Sequence, residues 1–500
     1  MTGNIRSIVI VGGGTAGWMA AAALSRLTPV QVTLVESEAI GTVGVGEATI
    51  PAIRLFNKAV GLDEGEFLRE TRGSYKLGIA FDGWMGDGAR YMHAFGSVGH
   101  AHGLLPFYQY WLRAHGAGQA EPFGAYSLNE TAARALRMQR GGGAAPVQMP
   151  YAFHFDAALY AGLLRRHAEA AGTTRVEGTV AEVERDPAAG HITGLKLTDG
   201  RSVAGDFFID CTGFRSLLME TLAPGEFGDW SEWLPCDSAW AVPCAAKGDF
   251  TPYTTAIARA AGWQWRIPLQ HRIGNGYVFS TRFIDKDEAR DTLLANLDGA
   301  PEAEPRLIRF TTGTRRRHWV GNCIALGLAA GFMEPLESTS IHLVQSSIAR
   351  FLQMFPSRRE EPALAAEFNR EAEFEWSHIR DFLVLHYWAN GRHGQPFWDE
   401  RRAMTLPDTL RERIETFRDS AFINRKHEEL FTVEGWSQVL IGQGILPERY
   451  NPLADALGEA ELLQMLGGIV RRNKEQAASM PLHVAALMQA VAPPQTRKTA

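Results

Sequence analysis

The sequence predicts an α/β (α+β) fold that begins with a βαβ sheet unit and continues into a mostly helical C-terminal module. The first observation behind this prediction is a strand, helix and strand pattern with a glycine-rich turn in the first forty residues. The second is that strand patterns fade after about residue 340, where Arg-, Glu- and Leu-rich stretches with helical spacing dominate. With 45% hydrophobic and 21% charged residues among 500, the chain has enough apolar side chains for a large core.

The first elements follow from local composition. The β-branched run Ser7–Val11 predicts a buried strand, and the Ala-rich segment that ends near Leu27 predicts a helix. A second strand is predicted at Val32–Val35, with Glu36 at its end. These elements form a βαβ unit.

The turn inside this unit has the glycine pattern of a dinucleotide-binding site. Gly12 permits a tight turn, Gly14 lets the backbone approach a pyrophosphate, and Gly17 allows the helix to pack closely on the strand. Free N–H groups at the helix start suit the anion, and Glu36 has the spacing of a carboxylate that binds a ribose hydroxyl. The pattern fits NAD, NADP and FAD equally.

The middle of the chain predicts an inserted segment that covers a site. Residues 57–150 show an irregular pattern rich in Gly and aromatic residues, and Gly141–Gly143 followed by Pro146 predicts a flexible loop. A helix is predicted at about Asp156–Ala171, followed by strands that return to the first sheet. The predicted strands are Thr179–Glu184, Ile192–Leu197 and Phe207–Asp210.

The predicted domains follow one another along the chain. Residues 1–345 are expected to form the dinucleotide-binding part, including the inserted segment, and residues 346–490 the helical substrate module. Residues 491–500 are expected to be a disordered tail.

Charge and cysteine content exclude several classes of partner. The formal net charge is -6 and the basic residues are scattered, so nucleic acid is not an expected partner, and the run Arg315–Arg317 is interpreted as a solvated turn without a role. Cys211, Cys236, Cys244 and Cys323 lack the spacing of a zinc site and predict reduced thiols without a metal. Because neither a signal peptide nor a membrane-spanning run is recognised, a cytoplasmic protein is expected.

Four further segments make the glycine pattern specific. They are FFIDCTG at 207–213, GVGEATIP at 44–51, GWQWRIP at 262–268 and ALGLAAGFMEPLESTS at 325–340. Together they resemble the flavin-dependent tryptophan halogenase family, whose signature is a GWxWxIP stretch beside an FAD fingerprint. The resemblance implies an FAD-binding fold similar to single-chain flavin monooxygenases. It also implies an enzyme that uses reduced FAD, oxygen and chloride or bromide to make hypohalous acid.

The resemblance also implies which residues carry the chemistry. Lys76 matches the family's catalytic lysine, which would localise hypohalous acid through a hydrogen bond or as a haloamine. Glu337 would accept a proton or stabilise the cationic ring intermediate. Thr339 and Ser340 match the residues whose backbone amides hold halide, although better-known relatives have Gly in place of Ser340. Without the resemblance, Lys76 would be a solvated lysine and Glu337 a surface or helix-capping carboxylate.

Further positions are assigned to the flavin and to the substrate. Trp263 and Trp265 match the tryptophans that separate flavin from substrate, although their alternation also predicts two core aromatics on one face of a strand. His93, Phe95 and Trp436 are expected on the substrate face, although a histidine between apolar residues is also typical of a structural role. The expected FAD contacts are Gly12, Gly13, Gly14, Ala16, Gly17, Glu36, Ser37, Ile40, Glu47, Ala48, Leu328, Ser338 and Ile341.

Two other functions share this fold. One is a flavin-dependent aromatic hydroxylase, and the other is a flavin-binding protein without turnover. Lys76 and the tryptophan pair favour the halogenase. The stretch 429–435 shows no tyrosine pair that would hold an amino-acid group, so indole or another electron-rich arene is the expected substrate. A separate NADH-dependent flavin reductase is the expected partner, because the single fingerprint is assigned to FAD, and a homodimer is left open.

Overall fold

The chain folds into two compact units, each assembled from three segments. The structure, a computed structural model, describes residues 5–38, 46–140, 149–357, 361–426 and 428–493. Ile40, the predicted loop at 141–146 and residues 494–500 of the predicted tail lie outside the described residues. The first unit comprises Met1–Gly73, Phe155–Asp237 and Arg309–Ser377. The second unit comprises Ser74–His154, Ser238–Ile308 and His378–Ala500.

The described strands and helices are numbered in chain order. The strands are β1 (Ser7–Val11), β2 (Gln31–Glu36), β3 (Gly46–Ala48), β4 (Ser74–Lys76), β5 (Gly78–Asp82), β6 (Arg90–Ala94), β7 (Ala152–Asp156), β8 (Thr174–Glu177), β9 (Val180–Arg185), β10 (Ile192–Leu197), β11 (Ser202–Ala204), β12 (Phe207–Asp210), β13 (Phe227–Asp229), β14 (Ser238–Cys244), β15 (Thr254–Arg259), β16 (Gly262–Pro268), β17 (Ile273–Phe279), β18 (Arg306–Arg309), β19 (Gly313–Arg315), β20 (Trp319–Val320), β21 (Cys323–Ala325) and β22 (Gly331–Phe332). The helices are α1 (Thr15–Leu27), α2 (Ile53–Ala59), α3 (Glu64–Glu70), α4 (Phe107–Gly116), α5 (Leu128–Arg134), α6 (Ala157–Ala170), α7 (Leu217–Leu222), α8 (Lys286–Ala295), α9 (Ser340–Gln353), α10 (Pro362–Trp388), α11 (Pro396–Arg402), α12 (Asp408–Ser420), α13 (Val433–Gly442), α14 (Glu459–Ser479) and α15 (His483–Val491).

A mostly parallel sheet forms the centre of the first unit. Its order is β20-β21-β12-β1-β2-β8, and β1 pairs in parallel with both β2 and β12. Ile8, Ile10 and Leu34 are fully buried, as expected for short apolar strands covered on both faces, and α1 packs against α6. The predicted βαβ unit and the predicted return of Phe207–Asp210 to this sheet are confirmed.

A mixed sheet forms the centre of the second unit. Its order is β18-β14-β17-β16-β15-β5-β6, in which β15 and β5 are parallel and the β14-β17-β16-β15 run is antiparallel. The short strand β4 pairs antiparallel with β7, which places Lys76 opposite Ala152. Helix α13 packs against β6, and α14 packs against α4 and α5. The sheet therefore organises the segments that hold the predicted substrate face.

Three features differ from the expectations. The compact units interleave along the chain, whereas a single boundary near residue 345 was expected, because α9 joins the first unit and α11 to α15 the second. The segment predicted to be irregular contains β4, β5, β6, α4 and α5. The interpretation of Arg315 as part of a solvated turn is wrong. Its side chain is only 1% exposed, because it lies on β19 and donates to Glu220 Oε1 (2.5 Å) and to the Ala223 carbonyl (2.6 Å).

Candidate active site

The glycine-rich turn after β1 has a geometry that requires glycine. Gly12 has φ +113°, and a Cβ there would lie 2.1 Å from the Cys211 carbonyl oxygen. A Cβ on Gly17 would lie 1.9 Å from the Gly12 carbonyl oxygen, so helix and turn touch through backbone atoms. Gly14 caps α1 without a side-chain hydrogen bond, and no described atom lies within 4 Å of where its Cβ would be. The first amides of α1 are therefore available to a pyrophosphate, and the turn fits FAD.

Glu36 lies beside this turn at the end of β2. A Cβ built on Gly13 would lie 1.4 Å from Glu36 Oε2, which shows how closely the carboxylate approaches the backbone. Arg175 Nε donates to Glu36 Oε1 at 2.5 Å, and Arg165 lies 3.7 Å from the same oxygen. The arginines fix the carboxylate in place, and its remaining lone pairs can accept from ribose hydroxyls.

The other predicted FAD contacts that the structure describes lie in the first unit, after β2, on β3, and near the starts of α1 and α9. A Cβ on Gly327 would lie 2.8 Å from Ala16 Cβ, so the single turn that holds Leu328 meets the start of α1. Glu47 is half-buried on β3, and desolvation raises its pKa to about 7. Ser37, Ala48, Ser338 and Ile341 belong to the same unit. Ser37 Oγ accepts a hydrogen bond from Thr179 Oγ1 at 3.2 Å.

The segment 335–340 combines a buried carboxylate with an uncapped helix start. Glu337 is 2% exposed and ends a single helical turn at Pro335–Glu337, and Ser338 then adopts a left-handed conformation with φ +59°. Thr339 caps α9 without a side-chain hydrogen bond, and its buried Oγ1 has no hydrogen-bond partner within the described ranges. The first turn of α9 contains no acidic side chain. As predicted, a helix begins at Thr339 and Ser340, and its free N–H groups suit a small anion.

Lys76 is fully buried on β4. Its Nζ lies 5.4 Å from the centroid of the Phe95 ring, within cation–π range. A fully buried lysine is rare in proteins, so the alternative of a solvated lysine is wrong. Lys76 belongs to the second unit and Glu337 to the first.

A chain of buried hydrogen bonds passes the strand that carries Lys76. Ser74 Oγ donates to the Pro268 carbonyl at 2.7 Å and lies 3.0 Å from His154 Nδ1, while His154 Nε2 lies 2.9 Å from Thr254 Oγ1. Burial, and then the charge of Lys76, lowers the pKa of His154 well below its usual value, so the ring is neutral. The Ser74 hydroxyl donates its proton to the Pro268 carbonyl, so it can only accept from His154. His154 Nδ1–H therefore donates to Ser74 Oγ, and Nε2 accepts from the Thr254 hydroxyl. The chain ties β4 to the end of β16.

The two predicted tryptophans lie on β16. Trp263 and Trp265 are 1% and 6% exposed, with ring centroids 6.3 Å apart. The Trp265 ring lies over Gly276 of the neighbouring strand, where a Cβ would come within 2.0 Å of it. Both rings are therefore core aromatics of the second unit, which is compatible with a wall between two sites.

The predicted substrate-face residues lie on β6, just after it, and on α13. The amide of Gln438 accepts from the Ala94 N–H at 3.0 Å and donates to the Ala94 carbonyl at 3.1 Å, which fixes α13 against the residue between His93 and Phe95. Gly435 packs on the His93 ring, since a Cβ there would lie 3.1 Å from Nε2. The structure therefore brings His93, Phe95 and the helix of Trp436 together.

Aromatic packing behind this face involves residues that the sequence did not indicate. Phe431 stacks on Phe382 with centroids 3.7 Å apart, and both rings pack near His93. The Arg413 guanidinium lies 4.0 Å from the centroid of the Trp436 ring and pairs with buried Glu429 at 2.6 Å. A local signal existed only for Phe431, an aromatic five residues before Trp436. Within the described ranges, no group of three or more His, Cys, Asp or Glu is placed to hold a metal.

The fold and the glycine-rich turns together define the class of protein. The first unit has a parallel βαβ sheet with a glycine turn before α1 and a carboxylate at the end of β2, and the turn at Gly327 packs against the start of α1. This combination defines a dinucleotide-binding fold of the flavoprotein kind. A family model described as tryptophan halogenase matches residues 7–459. The chain therefore belongs to the tryptophan halogenase family.

Relatives and solved structures support this assignment over nearly the whole chain. Tryptophan 7-halogenase RebH of Lentzea aerocolonigenes is 35% identical, over 96% of this chain and 98% of the relative. A flavin-dependent halogenase from Xanthomonas campestris is 47% identical with a TM-score of 0.95, covering 98% of this chain and 100% of that one. BrvH, a flavin-dependent halogenase from Brevundimonas sp. BAL3, is 41% identical with a TM-score of 0.93, covering 98% and 99%. The predictions of family, fold class, enzyme and cofactors are confirmed: the protein is a halogenase that uses reduced FAD, oxygen and halide.

Proposed function

We propose that this halogenase acts on an electron-rich arene without an amino-acid group, such as indole, and that Lys76 delivers the halogen. The observation that supports this most is the fully buried Lys76, whose Nζ lies beside the Phe95 ring at 5.4 Å. A buried ammonium next to an aromatic face can hold a small electrophile close to one ring carbon. Hypohalous acid is otherwise indiscriminate.

The proposed reaction replaces a ring hydrogen by halogen. Bound reduced FAD, with oxygen and halide, supplies hypohalous acid, and the net step is arene plus hypohalous acid to haloarene plus water. Lys76 Nζ donates to the oxygen of hypohalous acid and makes the halogen more electrophilic, or its free amine exchanges one hydrogen for halogen and releases water. In both forms the electrophile stays at Nζ.

In this proposal, two groups of the first unit handle the halide anion and the proton released from the ring. The uncapped start of α9 at Thr339 and Ser340 binds the halide through backbone N–H groups. Glu337, buried to 2% exposure, accepts the proton that leaves the ring carbon. Gly12 to Gly17, Glu36 and the turn around Leu328 hold the FAD.

The side chains before Trp436 support an arene without a zwitterion. Glu429 is already paired with Arg413 at 2.6 Å, and Phe431 is stacked on Phe382. Glu429 Oε2 makes no hydrogen bond within the described residues, but the charge of this carboxylate is already compensated by Arg413. Phe431 is apolar, so neither position offers an uncompensated charge to an amino-acid carboxylate or ammonium. Desolvating an unpaired charged group costs several kcal/mol, whereas ring stacking contributes about 0.5–1.5 kcal/mol, so free tryptophan is expected to bind poorly.

The test is the product pattern with indole and with free tryptophan at equal concentration. Reactions contain FAD, a flavin reductase, NADH and bromide, and mass spectrometry and NMR give the rate and the position of bromine. Indole is expected to be brominated at C3, its most electron-rich carbon, and tryptophan to react slowly. Efficient bromination of free tryptophan at one benzo-ring position would refute the substrate proposal. A product that carries oxygen instead of bromine would favour the hydroxylase.

A further inference from the structure

A cavity of about 180 Å³ lies in the second unit, next to the predicted substrate face. Four segments line it: the loop that begins two residues after Phe95, the start of α4, Phe123, and the first turns of α13. Exposed Ser97 and His100 form its outer edge, and buried Phe107, Tyr108 and Ser437 form its interior. A cavity of roughly 150 Å³ can hold a benzene ring, so this one can hold a short side chain of a substrate.

Hydrogen bonds fix the walls of this cavity. On one side, Val98 forms a β-bridge with Ser127, and the Gly99 N–H donates to the Tyr126 carbonyl at 2.9 Å. On the other side, the side chain of Gln438 joins α13 to β6 through both backbone groups of Ala94. The cavity is therefore preformed by the fold.

Glu434 is the acidic side chain among the lining residues. It is half-buried, and within the described ranges its carboxylate takes part in no hydrogen bond or ion pair. Its backbone carbonyl accepts from Ser437 Oγ at 3.0 Å, which holds the first turn of α13 in place. Burial raises the pKa of Tyr108, and the negative charge of Glu434 adds to this rise, so the carboxylate acts on the cavity interior.

Aromatic side chains line the same cavity as the carboxylate. Phe107, Tyr108 and Phe123 all line the cavity, and the Phe107 and Phe123 centroids are 6.3 Å apart. The Tyr108 hydroxyl is committed to the Ala421 carbonyl at 2.8 Å, so the tyrosine offers mainly its ring. Ring faces and a half-buried carboxylate both favour a cation and disfavour an anion.

We propose that this cavity is a subsite for a cationic amine carried as a substituent on the aromatic substrate, with Glu434 as its counter-ion. The inference rests on the proposed function, because it assigns the substituent of the arene that Lys76 halogenates. In free tryptophan, Glu434 would attract the ammonium but repel the carboxylate on the same carbon, so the zwitterion gains less from this subsite than an amine without a carboxylate. The favoured substrate is then an aminoalkyl arene without a carboxylate.

The test uses indoles with a substituent on the benzo ring, which leaves C3 free to react. At each of the positions C4 to C7, an aminomethyl, a methyl and a carboxymethyl derivative are compared by kcat/KM for bromination at pH 8. At one position at least, we expect the aminomethyl compound to exceed the methyl compound about tenfold and the carboxymethyl compound by more. Glu434→Gln should remove this ratio, whereas Glu475→Gln, an exposed glutamate on α14, should preserve it. Because each ratio is measured within one variant, a general loss of activity does not affect it.

The outcomes separate the inference from the proposed function. If the indoles are brominated without an amine preference at any position, or if Glu434→Gln keeps the preference, the subsite is refuted and the proposed function stands. If no indole is brominated, the proposed function fails. Calorimetric titration of the same amines and acids into the wild type and Glu434→Gln then decides the subsite alone. Equal affinity of the two proteins for every amine would refute it.

Discussion

At the scale of single residues, the protein depends on charges that are buried. Lys76 has no exposed surface and lies against Phe95, and desolvation also raises the pKa of Glu47 to about 7. Such environments cost folding free energy, and they concentrate at functional sites because they hold reactive groups away from water. Lys76 is the group for which this environment has the most direct chemical use.

Replacing Lys76 by alanine is expected to lower product formation at least about 100-fold while flavin oxidation and peroxide release continue. The physical reason is that the lysine acts after hypohalous acid has formed. The measurement pairs bromoindole yield with a peroxidase-coupled peroxide assay. Lys76→Arg keeps a charged donor but cannot form a haloamine, so its activity separates the two modes of delivery. Lys196→Ala, at an exposed position, serves as the control. Wild-type yield from Lys76→Ala would remove the lysine from the mechanism.

At the scale of elements, two helices and five strands place the reacting groups. Helix α9 brings an uncapped N-terminus to the segment of Glu337, and α13 is attached to β6 through Gln438. The chain Thr254, His154, Ser74 and Pro268 joins β15, β7, β4 and β16. These connections leave Lys76 little freedom to shift relative to the strand of Trp263 and Trp265.

The uncapped start of α9 predicts that Thr339 binds halide through its backbone N–H and not through its hydroxyl. If backbone N–H groups hold the halide, Thr339→Val should keep KM for bromide within about twofold. The variant should also raise the free energy of unfolding by about 1 kcal/mol, because it removes a buried hydroxyl without a hydrogen-bond partner among the described residues. Halide-dependent kinetics and urea denaturation measure the two effects. A tenfold rise in KM would show that the hydroxyl itself binds halide.

The neutral state of His154 predicts a pH-dependent stability. Since its pKa is lowered in the folded state, the unfolded chain takes up the proton first as pH falls. The stabilisation is therefore complete above about pH 6.5 and is lost below it, with a slope of at most about 1.4 kcal/mol per pH unit. His483, whose pKa burial lowers to about 4, acts in the same direction.

His154→Gln should therefore flatten the fall in the free energy of unfolding between pH 6.5 and 5. Urea denaturation at half-unit steps measures it, and His393→Gln, at an exposed position, is the matched control. Subtracting the wild-type curve cancels the contribution of the other groups. Parallel curves for His154→Gln and wild type would contradict a buried neutral histidine.

At the scale of the whole molecule, the sequence predicts those parts of the fold whose signal lies within one short segment. The β1-α1-β2 unit, the helix start at Ser340 and the β16 motif each lie within one short segment, where periodicity and glycine spacing act directly. The His154 chain joins positions up to 194 residues apart, so no local pattern indicates it. Arg315 was misinterpreted for the same reason, because Glu220 and Ala223, which hold it, lie far away in sequence. Loops and short strands between residues 57 and 140 show no periodicity because their register is set by partner strands.

We also expect halogenation by the whole protein to depend on a separate flavin reductase. The fingerprint at Gly12–Gly17 is assigned to FAD, so the purified protein should oxidise NADH no faster than free FAD does. Adding an NADH-dependent flavin reductase should restore bromination. Absorbance at 340 nm with and without the reductase measures this. Rapid NADH oxidation by the halogenase alone would show that a second nucleotide site exists.

The interleaved segments of the two units bear on how the protein is made in the cell. The chain passes between the units five times, and the last segment of the first unit ends at Ser377. A ribosome that adds roughly 5 to 20 residues per second needs about 20 to 75 s to reach that point. During this interval the β1-α1-β2 unit lacks β19 to β22 and α9, which complete the first unit. Most of the second unit is synthesised in the same interval. The nascent chain therefore exposes apolar strands for longer than a chain with consecutive domains would, and co-expressed chaperones should improve recombinant yield.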